Sequence, residues 1–264
     1  ADAAKQYTDT HDKGSIKIVV DETLKPFAEA EVLAYEQQYP KANFNVAYLP
    51  ERQAFKQFLS EDDTVRLIIA ARELRENEKQ VFKPKQFKPR TYEMAHDAVA
   101  FIVNKQNVDT NLTMEEVKAI LAGQVTNWTA LNERGALDQD IRIVFDDANS
   151  STRRVLSDSL MAPDTMAKSR LYAAGSTPEV LKYVAENKNA IGVVGYNWLS
   201  DTSQEDIADA YQNVKMVGLP STRNVQKFVY LNDYPIHYLR NYIYPLRRSV
   251  YVHVGEPHRG LGTG

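Results

Sequence analysis

Hydrophobic and polar residues alternate with a period of two over residues 15–20 and again over 44–49, where Phe44, Val46 and Tyr48 share a face. Both stretches read as strands. Between them Asp21-Glu22-Thr23 supplies capping side chains, and Phe27, Ala30, Leu33 and Ala34 recur at helical spacing until Tyr39-Pro40 ends the pattern. Pro50-Glu51 opens a second helix carrying Phe55, Phe58 and Leu59. Residues 66–71 form a third apolar run, and the charged segment over 72–79 reads as helix. This β-α-β-α-β order predicts an α/β fold, with a mostly parallel sheet and helices on both faces.

Residues 83–90 hold two prolines and four basic side chains, the composition of an exposed connection. Residues 97–104 are the most apolar strand of the chain. A helix follows from Leu112-Thr113, with Met114, Val117, Ile120 and Leu121 on one face and Gly123 at its end. Further strands are expected at 141–145, 191–196, 214–219 and 250–254. Helices are expected after 149–152, through Val155, Leu156 and Leu160, and over 179–186.

A chain of 264 residues has room for one large domain or two lobes. Lys and Arg number 32 against 35 Asp and Glu, a formal charge of −3, which excludes a strongly basic nucleic-acid binder. No cysteine is present, so disulfides, thiolate metal sites and cysteine nucleophiles are excluded. The longest clear apolar run, 98–103, falls far short of the roughly 18 residues of a membrane span. Residues 1–13 are polar and lack the apolar stretch of a signal peptide, so they read as a flexible N-terminal linker.

The most informative local feature is Asn149-Ser150-Ser151-Thr152, between a predicted strand and a predicted helix. A helix N-terminus presents unpaired N–H groups and partial positive charge, and hydroxyls add directional donors, so this run suits an oxyanion. The same residues serve equally as ordinary helix caps. Thr23 stands at a similar junction and has the same two readings. Arg72 follows the third strand, at the sheet edge where open α/β folds usually bind ligands. Arg153 and Arg154 lie in the first turn after the hydroxyl run, where a cation opposes the helix dipole unless an anion or carboxylate offsets it. Surface solvation is the plain alternative for each arginine. Catalytic motifs are missing: the histidines form no H-E-x-x-H pair, neither serine sits in G-x-S-x-G, and no Walker or dinucleotide glycine motif occurs.

Several spaced segments, taken in order, resemble the phosphate-binding proteins of ABC phosphate-uptake systems. They include Leu112-Thr113, Glu115, Ile120, Gly123 and Trp128, preceded by the strand Asp97-Ala98-Val99-Ala100-Phe101-Ile102-Val103-Asn104. Ala190-Ile191-Gly192-Val193-Val194-Gly195-Tyr196, and Tyr244-Pro245-Leu246 on to Tyr251-Val252, add matches in the second half. The resemblance covers residue 14 to the C-terminus. It implies a type II periplasmic-binding-protein fold: two α/β lobes joined by crossing segments, with the ligand in the interlobe cleft. Residues 14–100 with 200–264 would form the first lobe, and 101–199 the second.

The resemblance further implies a monomeric, periplasmic or otherwise extracytoplasmic receptor that is not an enzyme. Its partners would be inorganic phosphate and the membrane permease of an ABC transporter, with no nucleic acid and no metal or other cofactor. Any lipid anchor would sit on a residue outside this sequence. The alternatives are a receptor for another tetrahedral oxyanion, a phosphate-sensing protein, or a phosphate-ester hydrolase. A hydrolase needs a nucleophile or metal-bound water that no motif supplies.

Residue by residue, Thr23-Leu24 matches the family's first anion-binding turn, where a hydroxyl and the next N–H contact phosphate. Ser150-Ser151-Thr152 aligns with its S-G-T loop, with Ser151 in place of the glycine. Pro50-Glu51-Arg52 aligns with a glycine/serine-rich ligand loop without its glycines, which puts Arg52 at the ligand. Ala70-Ala71-Arg72 aligns with A-S-D, so Arg72 stands where the family often has an acidic residue. The arginine that usually precedes S-G-T has no counterpart at Phe145-Asp146, and Arg72 and Arg154 are expected to replace its charge. Family members usually continue past the glycine-rich stretch ending at Gly264 into terminal helices.

Overall fold

The computed structural model of the chain describes residues 8–60, 64–131, 137–160, 166, 170–200 and 204–263. Residues 1–7 of the expected linker and Gly264 lie outside them. In chain order the first elements are β1 (Lys13–Asp21), α1 (Lys25–Gln38), β2 (Lys41–Leu49), α2 (Glu51–Phe58), β3 (Val65–Ala70), α3 (Glu76–Gln80) and β4 (Arg90–Asn104). Then come α4 (Met114–Leu121), β5 (Arg142–Phe145), α5 (Ser151–Leu160), β6 (Leu171–Ala173), α6 (Thr177–Glu186), β7 (Ala190–Gly195) and α7 (Tyr196–Ser200). The last are α8 (Ala208–Asn213), β8 (Val214–Met216), β9 (Leu219–Ser221), β10 (Asn224–Val229), α9 (Pro235–Arg240) and β11 (Arg247–Val254).

Two compact units result, one of residues 1–95 with 249–264 and one of 96–248. The chain passes from one to the other within β4 and within β11. This division differs from the expected one: residues 200–248, assigned to the first lobe, belong with the middle of the chain. The reason is packing. β8 pairs antiparallel with β4, Ile102 opposite Met216. Leu219, Val229, Leu231, Tyr244 and Leu246 are buried in the same core as Phe101, Trp128 and Trp198.

In the first unit the strand order is β2-β1-β3-β11. β1 runs parallel to β2 and β3, as the β-α-β-α-β order predicts, and β11 adds an antiparallel strand beside β3. α1 forms where predicted, with Pro26 in its first turn, where the missing N–H costs nothing. Of its expected buried side, Phe27 packs on the core while Ala30, Leu33 and Ala34 are exposed. Leu33 is 57% exposed, whereas Ala28 is buried and Val32 and Tyr35 pack on the sheet. Tyr35 meets Tyr39 at 4.8 Å and Phe44 at 5.5 Å between ring centroids. That aromatic row buries more apolar area than the stripe of Ala30, Leu33 and Ala34, and it sets the helix rotation.

The segment expected as helix over 72–79 is helical only from Glu76. Glu78 folds back to accept from the Arg75 N–H at 2.8 Å, which caps the helix and fixes its start. The linker expectation also changes in its described part. Asp9 accepts from Arg66 Nη1 at 2.8 Å and from the Leu261 N–H at 2.9 Å, so it is tied to β3 and to the C-terminal turn.

In the second unit β4, β7, β5 and β6 lie in that order, β7 antiparallel to β4 and β5 parallel to both β7 and β6. α4 starts on a reciprocal cap between Thr113 and Glu116, buries Val117, Ile120 and Leu121, and gives way at Gly123, whose φ is 72°. The single strand expected over 214–219 is two, β8 and β9. They part at Gly218, where a Cβ would sit 2.5 Å from Asn111 Oδ1.

Gly192 in β7 lies under α6. A Cβ there would meet Ile102 Cγ1 and Val184 Cγ2 at 2.8 Å, and Val180 Cγ1 at 2.9 Å. Gly192→Ala should therefore destabilise the protein by about 1–3 kcal/mol through overpacking. Urea denaturation should show a lower midpoint at unchanged slope; an unchanged midpoint would mean that the layer yields.

Candidate functional site

In the second unit β5 ends at Phe145, the chain turns, and α5 begins at Ser151. Ser150, Ser151 and Thr152 are not surface caps: they are 2%, 0% and 0% exposed. Thr152 Oγ1 donates to Asp146 Oδ1 at 3.0 Å and lies 3.0 Å from Ser150 Oγ. Asp146 is itself buried. Burial pushes its carboxyl up, and the hydrogen bonds from Ser150, the Asp147 N–H and Thr152 only partly reverse that.

The positive charge at this hydroxyl run comes from Arg248, in β11, whose side chain is 2% exposed. Its Nη1 donates to Ser151 Oγ at 2.7 Å, and its Nε and Nη2 donate to Asp97 Oδ2 at 3.0 and 2.7 Å. Asp97 also accepts from the Asn197 N–H at 2.9 Å and from Asn197 Nδ2 at 3.2 Å. One guanidinium thus joins β4, β11 and α5, and its carboxylate partner holds the start of α7. Sequence reading missed both residues. The available signal was an aspartate heading the most apolar strand and a pair of arginines entering another strand; buried charges of opposite sign seek each other.

Arg154 is placed otherwise than expected. It pairs with Asp158 at 3.2 Å along its own helix, and Arg153 Nη1 donates to the Ala148 carbonyl at 3.0 Å. Both contacts answer the unfavourable dipole at a helix start locally.

In the first unit, Thr23 is fully buried. Its N–H and its hydroxyl both donate to Asp21 Oδ1, at 3.1 and 3.0 Å, which caps the short 3-10 turn over Glu22–Leu24. The Leu24 side chain lies in the apolar core. Arg52 is exposed on α2. Arg72 does follow β3, but its charge is matched within the unit. Nη1 and Nη2 donate to the two oxygens of Glu78 at 2.7 Å each. Nε stands 3.4 Å from the buried Glu51, and the guanidinium lies 3.5 Å over the Phe55 ring. Burial alone would raise the Glu78 carboxyl, yet the bonds from Arg72 and the Arg75 N–H hold it below the usual value. His253 braces this corner. Its Nε2 is 2.9 Å from the Arg72 carbonyl and its Nδ1 2.9 Å from Thr91 Oγ1. A carbonyl only accepts, so Nε2 carries the proton; burial pushes the imidazole down and keeps it neutral.

Asp9, Glu256 and His258 bring ligand atoms within 4.8 Å of one another, the single such group with metal-ligating potential among the described residues. Arg66 Nη1 already sits among them, 2.8 Å from Asp9 Oδ1, 3.3 Å from Glu256 Oε2 and 3.4 Å from His258 Nε2. The guanidinium takes the place a metal cation would need, and the residues do not fit a metal.

Arg248→Ala leaves Asp97 buried without its cation and should cost about 3–5 kcal/mol, whereas replacing both by apolar residues should recover much of the loss. Chemical denaturation of Arg248→Ala and of Asp97→Leu with Arg248→Met decides it; equal losses would deny the pairing.

Asp146→Asn tests the buried carboxyl. A folded-state pKa raised above 3.8 makes a stability contribution present below that value and lost as pH rises through the folded pKa. The variant should therefore match the parent in acid and melt higher at neutral pH. Thermal unfolding from acid to neutral pH reads the difference, and a difference independent of pH would contradict it.

Comparison with known proteins comes to the same architecture. The profile of a family described as the PBP superfamily domain matches residues 5–261. The phosphate-binding protein PstS of Staphylococcus aureus strain USA300 is 26% identical over 188 residues, 70% of this chain, and the match spans only 55% of the relative's length. Two solved structures share the fold. One is a putative phosphate ABC transporter substrate-binding protein with bound phosphate from Clostridium perfringens, 22% identical, with a TM-score of 0.72, covering 95% of this chain and 90% of that one. The other is an ABC-type phosphate transport receptor from Vibrio cholerae, 22% identical, with a TM-score of 0.62, covering 92% and 88%.

Proposed function

We infer the function from the premise that this chain belongs to the PBP superfamily, and we propose that it is an extracytoplasmic receptor capturing inorganic phosphate for the membrane permease of an ABC transporter. The observation that carries this reading is the buried donor set at the start of α5: Ser150, Ser151 and Thr152 with Arg248 donating to Ser151. Such a set, shielded from water at a helix N-terminus, suits a tetrahedral oxyanion, because helix N–H groups can meet its oxygens and the hydroxyls of Ser150 and Thr152 can turn to it from Asp146. Asp146 adds an acceptor in the same cluster. Hydrogen phosphate can donate to it, and fully ionised sulfate cannot.

In this reading Ser150, Ser151 and Thr152 are ligand contacts, and Arg248 supplies the positive charge first assigned to Arg72 and Arg154. Thr23 with the Leu24 N–H forms a second anion-binding turn. Arg52, exposed on α2, and Arg72, paired with Glu78, are kept as candidate contacts from the first unit. The named relatives are phosphate-binding and phosphate-transport proteins, which supports a binding role over hydrolysis. A monomer needing no cofactor suffices for it. No helix among the described residues is long and apolar enough to cross a membrane.

Calorimetric titration of phosphate, arsenate and sulfate into ligand-stripped protein tests the proposal. Phosphate and arsenate should bind, and sulfate should bind more weakly. Replacing Ser151 and Thr152 by alanine should weaken phosphate binding by about ten- to a hundredfold per lost charged hydrogen bond, with unfolding still cooperative. No heat with any oxyanion, or release of phosphate from phosphate esters at catalytic rates, would refute it.

A further inference from the structure

The segment from β9 to the start of β11 carries an exposed face that the phosphate site does not use. Val225, Tyr234, Ile236 and Tyr242 are 67%, 68%, 79% and 65% exposed, so the large apolar side chains most open to water among the described residues fall within one stretch. Arg223 Nη2 donates to the Asn241 carbonyl at 3.2 Å, and the Thr222 N–H donates to the Ile243 carbonyl at 2.9 Å. These bonds bring the β9–β10 turn beside the end of α9. Arg247 lies 4.0 Å over the Tyr242 ring. Tyr234, Ile236, His237 and Arg240 rim a shallow hollow of about 500 Å³.

The charge of this face opposes that of the chain. Arg223, Lys227, Arg240 and Arg247 stand against Asp233 alone over residues 219–247, in a protein whose formal charge is −3. Arg223, Lys227 and Arg240 are exposed and pair with no carboxylate among the described residues. Exposed tyrosines and an isoleucine among unpaired cations match the two forces that hold a protein at a lipid surface: shallow apolar insertion and attraction to anionic headgroups. Tyrosine suits that boundary because its ring is apolar and its hydroxyl stays wet.

We propose that the β9–β10 hairpin and α9 form a docking surface for an anionic phospholipid bilayer. This inference is independent of the phosphate reading. Co-sedimentation of the 264-residue protein with vesicles of equal phosphatidylglycerol and phosphatidylcholine, and with vesicles of phosphatidylcholine alone, tests it at low and high salt. Binding should be confined to the anionic vesicles and fall with salt. It should be lost in Ile236→Ser with Tyr242→Ser, and weakened about fivefold by each of Arg223→Gln and Arg240→Gln. Leu33→Ser, on the other unit, should change nothing, and cooperative thermal unfolding should show every variant folded. Absence of binding to anionic vesicles, or full binding by the Ile236/Tyr242 variant, would overturn the proposal, including the case in which the face captures a membrane protein instead.

Discussion

A guanidinium as buried as that of Arg248 has to be matched where it lies, and the second unit is arranged to do so. Asp97 takes two of its donors and Ser151 a third. The consequences spread from there. Asp97 is held in turn by Asn197 at the start of α7, so the strand end, the helix that follows β7 and the first turn of α5 are positioned by one ion pair. The pair also sets the electrostatics of the site. A cation beside a helix N-terminus is unfavourable by itself, and Asp97 offsets part of that cost while its own oxygens are turned to Arg248 and Asn197. Ser151, at the first turn of α5, thus has a guanidinium donor and the helix N-terminus beside it, the setting in which an oxyanion is favoured.

The first unit meets the same kinds of residue with a different balance of partners. Arg72 has two carboxylates and an aromatic face about it, Arg66 has Asp9 and Glu256, and the Thr23 hydroxyl donates to Asp21. The two cations stand beside strands, as a binding residue would, with carboxylates already about them. Position at a sheet edge therefore does not make an arginine a ligand. The deciding quantity is how many acceptors already surround it.

Much of the fold was legible because periodicity and capping are local. The strands at 15–20, 44–49 and 97–104, the Thr113 cap and the helix after Asn149 all follow from neighbours within a few residues. The hydroxyl run was legible for the same reason. What was not legible depends on distance in the chain. Arg248 acts on a serine 97 residues away, and nothing in its local sequence separates it from the more exposed Arg247. The rotation of α1 was misread because Phe44, outside the helix, decides which of its sides is covered. Residues 200–248 were misassigned because their short strands and helices carry little period of their own and take their place from β4 and its core.

At Asp146 the chain departs from the sequence pattern it resembles, and a buried cation stands nearby at Arg248 beside Ser151. Where the resembling family has an arginine ahead of its hydroxyl loop, this chain has a buried acid, and the cation comes from β11. The two changes together do more than preserve the balance. Burial already pushes the Asp146 carboxyl up. A phosphate held at Ser150-Ser151-Thr152 would add negative charge beside it and push it further in the same direction. On the reading proposed above, binding of the anion and uptake of a proton are then coupled. An arginine at that position would have no such coupling, since it keeps its charge at every working pH. On the proposed reading, a cation at Arg248 and an acid at Asp146 would together give the oxyanion site a dependence on protons.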